Sequence, residues 1–425
     1  NVIVGGMAGD ALTAGSYNVA VGKSALSLED DHGKNTAVGH GTLQTQNAGA
    51  DTYNVAVGFE AGNDITTGTN NTLIGGRAGD SLTTGSYNTV LGYYALSGED
   101  AHGYNTAIGY YALGVQDAGA NAYNVAVGHN ALLSSTTGQR NVAIGYSALT
   151  AATTASYNTA VGYNALTDNS TGASNTAVGY QALDSNTTAD ANTAVGYNAL
   201  LTNTTGASNT AVGYQALDAN TTALYNTAVG RSALTTNTTG TRNSALGTEA
   251  LEANTTADDN TAVGHYGLKL NTTGTKVTSV GAYALQANTT ADDNTAVGYN
   301  AIGSNSTGAT NTAVDAYSLD ANTTASNNTA VGGYALSSNT GGHSNVAVGK
   351  GALDSNTTAD YNCAFGRDAL GAVTTQGQLT AFGDSALGAN TSGQQNTSFG
   401  FQSSYSTTTG HSNVAVGYAA LWTNT

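Results

Sequence analysis

The sequence predicts an all-β protein, a parallel β-solenoid (β-roll) in which each 17-residue repeat forms one coil. The first observation is the period: residues 158–208 spell nearly the same 17 residues three times without a gap. The second is the composition, with 56 glycines, no proline and only 9% charged residues. The third is the short Thr-Ala-Val segment, which recurs in ten of the 25 repeats and is typical of a strand bounded by Asn and Gly. A fixed short period indicates one small structural element stacked on copies of itself.

The chain contains 25 repeats, which begin at residues 1, 18, 35, 54, 71, 88, 105, 124 and 141 and then every 17 residues from 158 to 413. Position 1 of the repeat is Asn except at Val277 and Leu379, and position 5 is Gly except at Asp315. Position 3 is usually Ala, position 4 is Val, Ile, Leu or Phe, and positions 8 and 9 are usually Ala-Leu.

The repeats are organised at two higher levels. Residues 1–140 form two 70-residue super-repeats, and residues 141–425 form 17-residue repeats in 34-residue pairs. Because no linker or change of composition interrupts them, we predict one continuous domain over residues 1–425. We also expect the chain to be a segment of a longer protein, or its repeats to continue end to end into a filament.

Within a repeat, Thr-Ala-Val is predicted to form a strand with Thr and Val on one face and Ala and Gly on the other. A second short strand is predicted through Tyr-Asn-Ala-Leu, and turns in the remainder. Val and Leu are expected to fill the core, each worth roughly 1.5–3 kcal/mol. Since this is too little for an isolated repeat, stacked strands and ladders of Asn and Thr must supply the rest.

Three repeats carry Gly in place of Leu at position 9 and have an aliphatic residue three positions later. The pairs are Gly9 with Leu12, Gly62 with Ile65, and Gly79 with Leu82. We expect the later side chain to replace the missing buried volume.

The alanines at position 3 predict a mildly apolar stripe that a neighbouring chain would cover. We therefore expect a homotrimeric rod, with Ala160, Ala177 and Ala194 as candidate trimer-interface residues. A monomeric solenoid with larger triangular coils is the alternative.

The charge and hydropathy of the chain exclude several classes of protein. With 10 Lys and Arg against 27 Asp and Glu, a net charge of −17, nucleic-acid binding is not expected. The sequence contains no apolar run of 18 residues, so insertion into a membrane is not expected. The single cysteine, Cys363, takes a place occupied elsewhere by Thr or Val, which favours a packed side chain over a reactive thiol.

Two matched segments, LEDDHGKN and GEDAHGYN, contain the candidate metal ligands. These are Glu29, Asp30, His32, Glu99, Asp100 and His102. Two carboxylates and an imidazole could bind a divalent cation. However, the duplication alone explains the recurrence, and a solvated acidic loop is the simpler interpretation, so no metal is expected.

A second set of carboxylates, which could bind Ca²⁺, recurs at the same loop positions two repeats apart. They are Asp258, Asp259, Asp292 and Asp293. Columns of carboxylates could collect Ca²⁺, but the glycine-rich nonapeptide of calcium-binding β-helices is missing. Turn formation by Asp is therefore favoured, and no cofactor is expected.

Tyrosine at position 6 predicts an aromatic column that could form a surface-binding site for glycans. Its members include Tyr163, Tyr180, Tyr197 and Tyr214. Packing of the rings into a ladder is the preferred interpretation. The interruptions of the repeat assemble no reactive group, so no catalytic residue is assigned and an enzyme is not expected.

The repeated NTAVGYNAL and NVAVGKSAL resemble the N-S-V-A-I-G-x-x-S repeats in head domains of trimeric autotransporter adhesins. NTAVGYQAL followed by NTTG looks still closer to repeats of tail-fibre and appendage proteins of bacteriophages. The resemblance implies a trimeric, extracellular fibre of β-rolls on a virion or cell surface, acting as a stiff spacer with a surface that could adhere to a glycan or receptor. A bacterial adhesin head that binds host or matrix surfaces is the alternative. The strict 17-residue period and the absence of a visible coiled-coil stalk or anchor depart from the adhesin pattern.

Overall fold

The computed structural model describes residues 1–99 and 101–423 and confirms the all-β fold class. These residues form 25 parallel three-residue strands, one per repeat, in a β-solenoid without helices. None of the described residues belongs to a helix that could cross a bilayer. Contacts divide the chain into two compact units, Asn1–Val212 and Gly213–Thr425. The prediction of one continuous domain remains a prediction.

In the N-terminal unit, thirteen strands follow one another in the order of the chain. They are β1 Val2–Val4, β2 Val19–Val21, β3 Thr36–Val38, β4 Val55–Val57, β5 Thr72–Ile74, β6 Thr89–Leu91, β7 Thr106–Ile108, β8 Val125–Val127, β9 Val142–Ile144, β10 Thr159–Val161, β11 Thr176–Val178, β12 Thr193–Val195 and β13 Thr210–Val212. Each pairs with the next in parallel and in register, so that Ala160 lies opposite Ala177.

In the C-terminal unit, twelve strands are arranged in the same way. They are β14 Thr227–Val229, β15 Ser244–Leu246, β16 Thr261–Val263, β17 Thr278–Val280, β18 Thr295–Val297, β19 Thr312–Val314, β20 Thr329–Val331, β21 Val346–Val348, β22 Cys363–Phe365, β23 Thr380–Phe382, β24 Thr397–Phe399 and β25 Val414–Val416. Cys363 begins β22 and is half-buried, and burial raises the pKa of its thiol.

The strand faces are divided as predicted, but the core is different. Thr159 and Val161 point outward and are half-exposed, whereas Ala160 between them is fully buried. The prediction that Val fills the core is wrong, because the narrow coil admits Ala at position 3 and Leu at position 9 instead. Leu73, a larger residue at position 3, lies beside Gly62 and Gly79, two coils from which the position-9 side chain is missing.

The position of the alanines also contradicts the predicted trimer interface. Ala160, Ala177 and Ala194 each have 0% exposure in the single chain. Their methyl groups face the interior of their own coil, which leaves no side-chain surface for a neighbouring chain to contact. The assignment of these three residues to a trimer interface is therefore wrong.

The predicted second strand is also wrong, because Tyr-Asn-Ala-Leu forms a turn. Asn164 and Leu166 both have left-handed backbones, with φ of 52° and 57°. These two left-handed residues, with one residue between them, break the alternation of side chains between two faces that a strand would have. As a result, Ala165 and Leu166 both face the core. The Leu166 N–H still donates to the carbonyl of Ala182 in the next coil at 3.0 Å.

Two buried ladders of asparagine confirm the predicted role of Asn in stacking. At position 1, Asn158 Oδ1 accepts the backbone N–H of Asn175 at 2.8 Å. At position 12, Asn186 Nδ2 donates to Asn169 Oδ1 at 2.8 Å and to the carbonyl of Ala189 at 3.1 Å. Buried amides are stable only when hydrogen-bonded. Because the repeats stack in register, each of these asparagines hydrogen-bonds to the equivalent asparagine of the adjacent coil.

Candidate functional site

Two clusters of possible metal ligands lie in equivalent places of the two super-repeats. The first cluster is Glu29, Asp30 and His32, and the second cluster is Glu99, His102 and Asp117. In each, one ligand atom from every residue lies within 4.8 Å of the others. The glutamates occupy position 12 of their repeats and the histidines occupy position 15.

Position 12 places each glutamate inside the coil. Glu29 and Glu99 both have 0% exposure, because position 12 is the buried rung where most repeats carry Asn. The prediction of a solvated acidic loop is therefore wrong for both glutamates.

At position 12 of the adjacent coils there is either no side-chain amide or an amide that is hydrogen-bonded to other residues. Leu12 and Leu82 occupy position 12 of the preceding coils, and Gln46 and Gln116 occupy it in the following coils. Gln46 is engaged elsewhere, since its Nε2 donates to the Thr66 carbonyl and its Oε1 accepts from Asn54. The position-12 asparagine ladder begins only at Asn169, so the two carboxylates lie in a part of the chain without it.

In the first cluster, buried polar atoms lack partners. Among the described residues, neither oxygen of Glu29 accepts a hydrogen bond of normal geometry, and His32 Nδ1 also has no partner. Burial raises the pKa of the Glu29 carboxyl, and the backbone N–H and ring of His32 lower it only in part. Lys34, five residues after Glu29 in the sequence, forms an ion pair with Asp51 at 2.8 Å.

In the second cluster, the histidine is in hydrogen-bonding contact with the glutamate. Glu99 Oε1 accepts from the backbone N–H of His102 at 3.1 Å and lies 3.1 Å from its Nδ1. Oε2 has no hydrogen-bond partner in the part of the chain that is described. Burial raises the pKa of Glu99, and the contacts with His102 oppose this shift. Asp100, a predicted candidate, lies outside the described residues.

Asp117 is a member of the second cluster that the sequence did not predict. It lies in the 19-residue repeat that follows Glu99, at the place that Asn47 occupies in the first super-repeat. Its approach to Glu99 depends on how two successive coils are stacked. The alignment of the super-repeats gives no signal for it, because the equivalent residue is Asn47.

In the other acidic columns, Asp259 and Asp293 have left-handed backbones, with φ of 61° and 56°, and the other two carboxylates hydrogen-bond to the preceding coil. Asp258 Oδ1 accepts from the N–H and hydroxyl of Thr241 at 2.6 and 2.9 Å. Asp292 contacts Thr275 in the same way. Asp259 forms an ion pair with Arg242, which lowers its pKa. These carboxylates are already hydrogen-bonded or ion-paired with residues of adjacent coils.

The predicted tyrosine column is present in the N-terminal unit as an aromatic ladder. Tyr146, Tyr163, Tyr180 and Tyr197 stack with centroids 5.3, 5.2 and 5.1 Å apart and nearly parallel rings. Tyr214 occupies the same position of the repeat and is also exposed.

Stacking determines which part of each ring a ligand could reach. Tyr163 and Tyr180 are 46% and 43% exposed, yet their faces are covered by neighbouring rings. Solvent reaches mainly ring edges and hydroxyls. The geometry therefore favours ladder packing over sugar binding on aromatic faces.

No protein-family model matches this chain, and no curated protein sequence matches it.

Proposed function

We propose that the chain is a non-enzymatic structural fibre, a stiff extracellular spacer of the kind used in phage tail fibres or cell-surface appendages. The observation that carries the proposal is the in-register stacking of the repeats in each unit. A protein whose coils all pair with equivalent coils grows along one axis.

Resistance to bending would come from several ladders that act together. In the coils at residues 158–208, backbone pairing of the strands runs beside the position-1 and position-12 asparagine ladders. The 19-residue repeats keep the strand register as well, with Thr36 opposite Val55. The insertions are thus absorbed in loops while the strand pairing continues.

The interruptions of the repeat support a structural role because they serve packing. Val277 and Leu379 replace Asn at position 1 and are fully buried. Asp315 replaces Gly at position 5, and its carboxylate accepts the backbone N–H of Ala316 at 2.7 Å. Each irregularity has a local packing or hydrogen-bonding explanation.

We also propose that the outward strand face mediates assembly with further copies of this chain. Position 4 forms an apolar stripe that is partly exposed in each unit. Its more exposed members are Ile74, Leu91, Ile144, Leu246, Val280, Val297 and Phe399. A stripe that repeats with every coil matches a partner of the same period, which favours a second copy. The resemblance to adhesin heads supports three chains.

Electron microscopy and light scattering test these proposals. A fibre of 25 coils stacked about 4.8 Å apart would be roughly 120 Å long. Particles of this length would support the spacer, and compact particles of about half that size would contradict it. A trimer mass is expected from light scattering, and a monomer mass would reject the assembly.

The adhesive alternative, an autotransporter-type head, rests on the exposed tyrosine edges and hydroxyls. A glycan array probed with the native chain and with a Tyr163→Ala, Tyr180→Ala variant tests it. Binding that depends on these residues would favour adhesion over a plain spacer.

A further inference from the structure

We propose that each of the two clusters binds one divalent first-row transition-metal cation of the Zn²⁺ type. The sites would hold the acidic loops to the solenoid core, and they are independent of whether the chain acts as a spacer or as an adhesin. The ligands of the first site are Glu29, Asp30 and His32, and those of the second are Glu99, His102 and Asp117.

The first argument is the burial of glutamate oxygens that lack hydrogen-bond partners in the described part of the chain, namely both oxygens of Glu29 and Oε2 of Glu99. A carboxylate removed from water costs several kcal/mol unless a cation or hydrogen bonds replace its hydration. Glu29 has 0% exposure, and among the described residues neither of its oxygens accepts a hydrogen bond of normal geometry. A cation held between its oxygen and the neighbouring ligand atoms would provide the missing compensation.

The second argument is the substitution pattern within the repeat. Position 12 is normally a neutral Asn and position 15 a Gly or Ala, for example Asn169 and Gly172. Glu and His replace both positions together in repeats 18–34 and 88–104. The exchange puts a carboxylate and an imidazole three residues apart at one corner of the coil.

The ligand types select the class of cation. Each cluster offers one imidazole nitrogen and two carboxylates. Ca²⁺ and Mg²⁺ prefer sites built only of oxygen, whereas imidazole favours Zn²⁺ and related ions. Three protein ligands leave a coordination position for water, as in many zinc sites.

The two sites would connect different parts of the fold. In the first, all three ligands come from one loop of one repeat. In the second, Asp117 belongs to the repeat after that of Glu99 and His102. A cation there would cross-link two successive coils, so we expect the second site to stabilise stacking more strongly.

Calorimetric titration of the EDTA-treated, dialysed full chain with ZnCl₂ tests the proposal, with CaCl₂ as the discriminating ion. We expect two Zn²⁺ per chain, a higher melting temperature with Zn²⁺, and at least about tenfold weaker binding of Ca²⁺. Replacement of Zn²⁺ by Co²⁺ should give visible absorption bands that report nitrogen and oxygen ligands.

The matched variants are Glu29→Gln with Glu99→Gln, and His32→Ala with His102→Ala. Each pair should weaken Zn²⁺ binding by about 100-fold or more, since loss of outer-shell partners alone costs 10–100-fold. Circular dichroism checks that the variants fold. Asp258→Asn with Asp292→Asn is the control and should leave both sites intact, because these carboxylates are engaged with Thr241 and Thr275.

Four results would overturn the proposal. The first is the absence of Zn²⁺ binding at micromolar concentrations. The second is binding that survives in both variants, which would indicate adventitious surface histidines. The third is Ca²⁺ binding as tight as that of Zn²⁺. A glutamine pair that is more stable than the native chain even with Zn²⁺ present would show that the buried glutamates are protonated instead.

Discussion

Leu82 fills the space that a side chain at Gly79 would occupy: a Cβ built on Gly79 would lie 2.8 Å from Leu82 Cδ1, and Leu82 is fully buried. Ile65 stands in the same relationship to Gly62, at 3.0 Å. The sequence-based expectation that the later side chain replaces the missing Leu is confirmed. Each coil thus keeps a similar buried apolar volume while the residue that supplies it changes.

The relationship predicts that this exchange can be transferred to an ordinary repeat. Leu234→Gly alone should cost about 3–5 kcal/mol through the cavity it leaves. Asn237→Leu alone should cost about 1–3 kcal/mol, because it removes hydrogen bonds to Asn220 and Gly240. In the double variant the new Leu enters the cavity, so the combined cost should fall below the sum by about 1–3 kcal/mol.

Denaturation with urea, with hydrogen exchange of residues 226–242 to localise the effect, measures this coupling. Leu234→Gly combined with Asn305→Leu is the control, since Asn305 occupies the same position four coils later. Simple addition in both double variants would contradict the exchange of volume.

Glycine at position 5 is predicted to be costly to replace for a steric reason, and Asp315 is the one natural exception in the chain. A Cβ on Gly366 would lie 2.3 Å from the Gly383 carbonyl oxygen, and its φ is 135°. A side chain in this region of φ costs on the order of 1–3 kcal/mol before the clash is counted. Gly366→Ala should therefore separate the adjacent coils and lower the melting temperature.

Gly341→Ala is the matched control for that substitution. A Cβ on Gly341 would meet only Thr358 Cγ2 at 3.9 Å, and no positive φ restricts this residue. We expect its melting temperature to lie within a degree or two of the native chain, about what a surface substitution causes. Equal effects of the two alanines would disprove the steric explanation.

The sequence predicted the coil, its period and its strand register because periodicity alone determines which residues stack. It did not predict which strand face is inside. Thr159 and Val161 alternate with Ala160 whichever face is buried, and hydrophobicity favoured Val. The deciding factor is the width of the coil, which depends on the left-handed residues Asn164 and Leu166, and such backbones are unusual for Leu.

The candidate site was predictable in part. The duplicated Glu and His were visible as a motif, but the burial of Glu29 follows from its position 12, which the sequence alone did not identify as part of the core. Position 12 carries Asn in most repeats and was interpreted as turn chemistry. Buried amide ladders resemble solvated turns in composition, so only the structure distinguishes them.

Stability is predicted to depend on pH through Asp184, a half-buried carboxyl at position 10. Burial raises its pKa above the usual value near 4, and a hydrogen bond with Thr167 opposes the shift. The folded state then binds the proton more tightly than the unfolded state. Stability from this group is therefore complete at low pH and is lost as the pH rises through the folded pKa.

Asp184→Asn removes the loss of stability that ionisation of Asp184 causes. The variant should therefore be more stable than the native chain at pH 7 but not at pH 3, as measured by melting temperature. Asp259→Asn is the opposing control, because the ion pair with Arg242 lowers the pKa of Asp259. Its substitution should destabilise the chain at pH 7, with the difference disappearing as the pH falls through the lowered pKa of Asp259 in the folded state. Parallel pH profiles for the two variants would refute the assignment.

The aromatic ladder is predicted to contribute stability through its faces. Tyr180 stacks on Tyr163 at 5.2 Å and on Tyr197 at 5.1 Å. Two such pairs, each worth about 0.5–1.5 kcal/mol, make Tyr180→Ala cost about 1–3 kcal/mol. Tyr180→Phe keeps both faces and should retain most of that stability. Melting temperatures of the two variants measure this difference; if Phe were as damaging as Ala, the hydroxyl and not the stacked ring would be the stabilising group.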